Sequence, residues 1–131
     1  MDKIDVLQNI IDGFPHIQYT EDLLNDIAHD VFKSGLEGDF FRIFLFRLKQ
    51  LEKFGHKVVT EVKGFEKLKK APGLYSMHID LPALNYRILY TIDHSNNILL
   101  HGFNEISGKK NTDYTKPIKK AQQRIKGDNI L

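Results

Sequence analysis

Residues 74–93 read LYSMHIDLPALNYRILYTID and carry the clearest structural pattern in the chain. Apolar side chains occupy alternate positions on both sides of a short break: Tyr75, Met77, Ile79 and Leu81, then Tyr86, Ile88, Tyr90 and Ile92. This period of two is typical of β-strands that bury one face. The pattern predicts two antiparallel strands joined by a hairpin loop at LPALN, with Ser76, His78 and Arg87 on the opposite face.

The segments around the hairpin predict three helices before it, and a strand and a helix after it. The helices are expected at residues 2–12, from Glu21 to a break near Gly35, at residues 39–54, and from about Thr115 onward. Thr20 is a suitable N-cap for the second helix, and Gly55 is a suitable residue to follow the third. Residues 58–62 indicate a short extended piece or turn, and ILLHGFNEI at 98–106 predicts the third strand.

This order predicts an α+β domain in which N-terminal helices pack on one face of a small curled antiparallel sheet, followed by a C-terminal helix. A chain of 131 residues fits one hydrophobic core. We therefore expect a single domain over residues 1–131, with residues 1–54 mainly helical and residues 55–131 forming the sheet and last helix.

The composition is that of an ordinary globular protein, with 41% hydrophobic and 27% charged residues. The chain has no cysteine, which excludes disulfides and thiolate metal sites and suits a reducing cytosol. The longest apolar cluster, FFRIFLFRL, is interrupted by Arg42 and Arg47 and is much shorter than the roughly 20 residues that span a bilayer. We expect a soluble, cytoplasmic protein with no membrane partner.

Charge is distributed unevenly along the chain. Residues 1–40 hold nine acidic residues against two lysines, whereas residues 107–126 hold seven basic residues against one aspartate. Both segments could be solvated helix faces, but seven bases at the end of a compact domain also favour binding to an anion such as RNA.

Motifs for other chemistry are absent from the sequence. The six histidines are scattered without HExxH spacing, and no GxGxxG, P-loop or GxSxG motif occurs. We therefore expect neither a metal site nor a cofactor. The residues left for chemistry are those on the polar face of the hairpin, the basic segment and Tyr114.

Residues 73–125, GLYSMHIDLPALNYRILYTIDHSNNILLHGFNEISGKKNTDYTKPIKKAQQRI, resemble the core of the RelE/HigB superfamily of type II toxins, in its phage or mobile-element branch. The matching positions are residues 73–75, 86–90 and 99–103, Lys109, Lys110, Ala121 and Arg124. The likeness extends over about residues 45–126. It implies a microbial-RNase-like sheet.

The resemblance also implies a function. Most members cut messenger RNA on the ribosome without a metal, by attack of the ribose 2′-OH on its own 3′-phosphate, and a cognate antitoxin protein silences them. Such chemistry needs a base, a cation near the phosphate and a proton donor.

By that resemblance, Arg87 would hold the scissile phosphate, His78 would serve as base or acid, and Tyr114 and Lys110 would complete the catalytic set. The RNA-binding set would be Lys109, Lys57, Lys67, Lys69, Lys116, Lys119 and Lys120. Structural alternatives exist for three of these: an ion pair of Arg87 with Asp80, an ordinary sheet position for His78, and packing of Tyr114 at the helix start. His101 and Glu105 are weaker candidates, and His101 is expected to be structural.

The chain departs from the family in three places. NEISG lengthens the loop before Lys109, Ser76 stands where a lysine is frequent, and the acidic N-terminal region is long. A ParE-like toxin that inhibits a protein target such as gyrase, without cutting RNA, is the alternative function. A phage accessory protein that has lost its activity is a third.

Overall fold

The computed structural model describes residues 2–105 and 114–127. The helices are α1 (Lys3–Asp12), α2 (Glu21–Val31), α3 (Glu37–Phe54), the one-turn α4 (Val58–Glu61) and α5 (Thr115–Lys126), and a 3₁₀ turn (Gly55–Lys57) joins α3 to α4. The strands are β1 (Ile17–Tyr19), β2 (Phe65–Lys67), β3 (Leu74–Leu81), β4 (Leu84–Asp93) and β5 (Asn96–Asn104). The predicted α+β class and C-terminal helix are confirmed.

The hairpin predicted from the alternating pattern is present. β3 and β4 pair antiparallel, and His78 lies directly opposite Arg87. Only Pro82 and Ala83 separate the two strands, so the loop is shorter than LPALN. β5 pairs antiparallel with β4, and the register shifts between Leu89 and Tyr90.

The three predicted antiparallel strands are present, but the predicted sheet was incomplete and not wholly antiparallel, because it has five strands in the order β1-β5-β4-β3-β2. β1 pairs parallel with β5, and β2 pairs antiparallel with β3. Both additional strands have three residues, which is too short for an alternating pattern to show. The mainly helical segment 1–54 therefore also contributes an edge strand.

The N-terminal helices share one face of the sheet, as predicted, but α5 covers the other face, so the helices as a whole do not lie on one side. On the first face, α1, α2 and α3 enclose a cluster that includes Met77, Tyr86 and Ile88. On the second face, Ala121 of α5 packs in a smaller cluster with Leu89 and Leu100. Residues 86–90 of the central strand β4 are all buried. A strand that buries side chains on both sides needs helices on both faces of the sheet.

The helix ends follow the sequence signals in part. Thr20 caps α2 as predicted, because its side-chain oxygen accepts a hydrogen bond from the Leu23 amide at 3.2 Å. Its hydroxyl also donates to the Leu100 carbonyl at 3.1 Å, which ties α2 to β5. α3 ends before Gly55, which has a φ of 56°. The valine-rich segment, which indicated an extended piece or a turn, forms the one-turn helix α4.

Gly102 of β5 lies directly beneath the buried ring of Tyr86, whose hydroxyl donates to Asp30 at 2.8 Å. A Cβ at position 102 would lie 2.8 Å from Cε2 of that ring, and something would have to move. We expect Gly102→Ala to destabilise the protein by about 1–3 kcal/mol. Denaturant unfolding measures this cost.

Gly38 provides the matched control, because it lies inside α3 and nothing lies within 4 Å of an added Cβ. Gly38→Ala should be neutral or stabilise by up to about 1 kcal/mol. Equal effects of the two substitutions would contradict the close packing of Tyr86 on Gly102.

Candidate functional site

Arg87 lies on the second face of the sheet, next to Tyr114 at the start of α5. Its Nε donates to Glu105 Oε2 at 2.7 Å, and its Nη1 donates to Asp80 Oδ1 at 2.7 Å. The residue is only 9% exposed. The ion pair with Asp80 raised as a structural alternative is thus present, and Glu105 adds a second.

Two opposing effects act on the pKa of Arg87. Burial lowers it, but the hydrogen bond and charge of Asp80 and the charge of Glu105 outweigh burial, so the pKa is raised. The guanidinium is therefore a permanent cation. An incoming phosphate would have to compete with these carboxylates for the same N–H donors.

His78 lies beside Arg87 as its cross-strand partner. Its Nε2 is 3.2 Å from Glu66 Oε1, and its backbone carbonyl accepts a hydrogen bond from Arg47 Nε at 2.8 Å. Burial and the positive charge of Arg87 lower the pKa of His78, and the charge and hydrogen bond of Glu66 oppose them only in part. The imidazole is therefore neutral at pH 7 and able to accept a proton.

Tyr114 precedes α5 and closes the other side of Arg87. Its ring meets Phe103 edge to face, with the ring centroids 5.2 Å apart. Burial and the negative charge of Glu105 raise the pKa of Tyr114 to about 12, against the lowering effect of Arg87. The hydroxyl therefore keeps its proton at pH 7, and the predicted packing role coexists with a position next to Arg87.

We call these six residues the sheet-face cluster: Glu66, His78, Asp80, Arg87, Glu105 and Tyr114. It combines one permanent cation with three carboxylates, a neutral imidazole and a phenol. With all three carboxylates ionised, its charge does not favour an additional anion. The cluster has the groups for proton transfer, but anion binding requires that a carboxylate moves or is protonated.

The predicted lysines are distributed over several surfaces. Lys116, Lys119 and Lys120 are exposed on α5, on the same side of the sheet as Arg87. They line a shallow cleft of about 300 Å³ with His101, Pro117 and Gln123. Lys109 and Lys110 lie outside the described residues.

Two of the remaining lysines belong to the first face of the sheet or to the turn after one of its helices. Lys67 pairs with Tyr75, whose side chain packs on the first face, so alternation directs Lys67 to that face as well. Lys57 is exposed in the turn that follows α3, a helix of the first face, and Lys69 is exposed between β2 and β3. Of the predicted RNA contacts within the described residues, those on α5 are the best placed to extend the site.

A second charged group was missed in the sequence. Asp26 of α2 accepts hydrogen bonds from Arg124 Nη1 at 2.6 Å and from the Gly102 amide at 3.1 Å, and its carboxylate lies 2.8 Å from His101 Nδ1. Burial raises the pKa of Asp26, but His101, Arg124 and the Gly102 amide outweigh it, so the pKa is lowered. The buried position of His101 in this group agrees with its expected structural role.

The group joins α2, β5 and α5 at one edge of the sheet. Arg124 Nη1 also donates to the Leu100 carbonyl at 2.8 Å. Because Asp26 and Arg124 are 98 residues apart in sequence, no local pattern connects them. Glu66 was missed for a similar reason, since β2 fixes its position, whereas Glu105 was named as a weaker candidate.

Comparison of the chain with protein-family models, curated proteins and solved structures finds no match. Within residues 2–105 and 114–127, no three His, Asp or Glu side chains are grouped so that they could hold a metal ion. No helix in that part of the chain has the length and apolarity needed to cross a bilayer.

The His78 environment predicts a titration that NMR can follow. The His78 imidazole should titrate below its ordinary pKa of 6.5. Glu66→Gln should lower this value further, because it removes the opposing negative charge. Glu61→Gln on α4 is the matched control and should leave it unchanged. A His78 pKa at or above 6.5 would contradict the burial seen here.

The same shift affects stability. Because the pKa of His78 is lower in the folded chain, unfolding takes up a proton in the interval just below pH 6.5. The His78 contribution to the free energy of unfolding should therefore decline as the pH falls through that interval. His78→Gln should weaken this part of the pH dependence in thermal unfolding.

Proposed function

We propose that the chain is a RelE/HigB-type toxin whose sheet-face cluster cleaves RNA without a metal. The observation that carries the proposal is the direct cross-strand pairing of His78 with Arg87, with Tyr114 on the same side. A neutral imidazole, a permanent cation and a protonated phenol then lie around one end of the sheet. The microbial-RNase-like fold and the family membership are part of this proposal.

In the proposed reaction, His78 accepts the proton of the ribose 2′-OH as the 2′ oxygen bonds to phosphorus. The bond from phosphorus to the 5′ oxygen breaks, and that oxygen takes a proton from Tyr114. The products are a 2′,3′-cyclic phosphate and a 5′-OH end. Arg87 stabilises the negative charge that develops on the phosphoryl oxygens.

Substrate binding requires that Arg87 exchange one carboxylate for a phosphoryl oxygen. The Asp80 side chain is 58% exposed, so it can turn into water without burying a charge. Glu105 is more enclosed, with its side chain 24% exposed. The substrate therefore replaces Asp80 at Nη1 while Glu105 continues to orient the guanidinium through Nε.

The partners follow from the same proposal: messenger RNA on the ribosome as the substrate, and a cognate antitoxin that silences the toxin in the cytoplasm. Lys116, Lys119 and Lys120 of α5 contact the RNA backbone on the same side of the sheet. Binding through such lysines weakens steeply with added salt.

The nuclease proposal is best tested with two conservative variants. Tyr114→Phe removes only the hydroxyl, and His78→Gln removes the base. Each should slow RNA cleavage by about 100-fold and relieve growth arrest on expression in bacteria. Mapping of 5′-OH ends and cyclic phosphates measures cleavage directly.

Tyr19→Phe and His29→Gln are the controls, because each makes the same chemical change away from the cluster. Tyr19 bonds Asp12, and His29 is exposed on α2. Growth arrest with intact messages would refute the nuclease proposal. Arg87→Ala is a weaker test, because it would leave Glu105 and Asp80 without their cation.

A ParE-like toxin that binds a protein target and cuts nothing is the second candidate. The observation that favours it is the engagement of Arg87 by two carboxylates at 2.7 Å. In this alternative the ion pairs are structural and remain in place when the target binds.

Asp80→Asn distinguishes the two candidates. If a phosphate must displace Asp80, this variant should bind a single-stranded RNA with 2′-O-methyl riboses about tenfold more tightly than the wild type. Fluorescence anisotropy measures the affinity, and Glu61→Gln is the control that removes one distant negative charge. Growth arrest with intact messages and no gain in RNA affinity would favour the second candidate.

A further inference from the structure

One surface of α3 carries the more exposed of the two large apolar side chains on the described exterior. Phe46 lies in the middle of this helix and is 56% exposed. Arg42, Lys49 and Lys53 occupy positions four before, three after and seven after it, so all four residues fall along one line of the helix. We call Arg42, Phe46, Lys49 and Lys53 the α3 stripe.

The α3 stripe is bordered by apolar surface. Ile43 and Leu45 are half-buried beside Phe46, and together with Arg42 and Lys49 these residues line a shallow cleft of about 360 Å³. The opposite side of α3 carries Phe40, Phe44, Leu48 and Leu51, which are fully buried in the core. Exposure of Phe46 is therefore not needed to anchor α3 in the domain.

The charge of the α3 stripe indicates what could cover it. It carries three cations, and the nearby carboxylate is that of Asp39, 3.8 Å from Arg42. A second copy that packed its own α3 stripe here would bring cations against cations, which opposes association. A partner with acidic residues on both sides of an apolar ridge complements the stripe in charge and shape.

We propose that the α3 stripe is a docking surface for an acidic amphipathic helix of a partner protein, with Phe46 as the central anchor. Two features favour a helical partner: α3 has 18 residues, about 27 Å in length, and a helix laid beside it aligns an apolar ridge with Phe46. An exposed aromatic side chain that has cations along the same line of its helix is suited to anchor a binding partner.

This inference does not depend on the nuclease proposal. α3 packs on the first face of the sheet, whereas the sheet-face cluster lies on the second. A helix bound to the α3 stripe leaves Arg87 and His78 uncovered. The proposed surface therefore serves recruitment or localisation of the protein rather than occlusion of the cluster.

The test uses two synthetic 18-residue helical peptides with leucine every three or four positions. One carries glutamate on both flanks of the leucine ridge, and the other carries lysine at the same positions. The glutamate peptide should bind the full chain, and the lysine peptide should not. Phe46→Ala and Lys49→Glu should each weaken binding of the glutamate peptide by about tenfold.

Ile125→Ala and Lys126→Glu on α5 are the matched controls, because they change another exposed apolar residue and another exposed lysine. Both should leave peptide binding unchanged. Thermal unfolding checks that Phe46→Ala keeps the fold, as its exposure leads us to expect.

Four results would overturn the proposal. Equal binding of the two peptides, or no effect of Phe46→Ala, would remove the role of the stripe. A dimer in solution that Phe46→Ala converts to a monomer would assign the surface to a second copy. Loss of RNA binding in Lys49→Glu with unchanged peptide binding would assign it to nucleic acid.

Discussion

The central strand β4 must be buried on both faces, and much of the architecture follows from that requirement. Residues 86–90 are all buried, so neither side of the strand can face water. The N-terminal helices cover the first face and α5 covers the second. α5 packs over Leu89, and Arg87 lies farther along the same face, where it is only 9% exposed.

Burial determines the protonation of Arg87, His78 and Tyr114. A buried charge that has lost its contact with water is costly unless it has a charged partner, and Arg87 has two, Asp80 and Glu105. The same burial keeps His78 neutral and Tyr114 protonated. An acid, a base and a cation thus coexist at one pH on a surface that was first required for packing.

The hairpin and the cap of α2 could be predicted because each depends on local sequence. Alternation in residues 74–93 predicted the two strands and placed Ser76, His78 and Arg87 on one face. Thr20 has the hydroxyl that an N-cap needs. β1 and β2 could not be predicted, since three residues cannot show a period and each strand depends on a distant partner.

The candidate site was predictable to a similar extent. His78 and Arg87 were placed on one face by their strand positions, and the register confirms that they are neighbours. Asp80 and Glu105 were also named from the sequence, but Glu66 was not, because it reaches the cluster through the three-residue strand β2. The ion pair of Asp26 with Arg124 joins α2 to α5 across 98 residues of sequence, so no local sequence pattern predicts it.

The parallel pairing of β1 with β5 has a consequence for how the chain acquires its structure. Residues 17–19 pair with residues 97–99, so β1 depends on a partner that lies 80 residues later in the sequence. Such a non-local contact carries a large loop-closure cost and slows folding. β1 can therefore join the sheet only after the segment that forms β5 is available to pair with it.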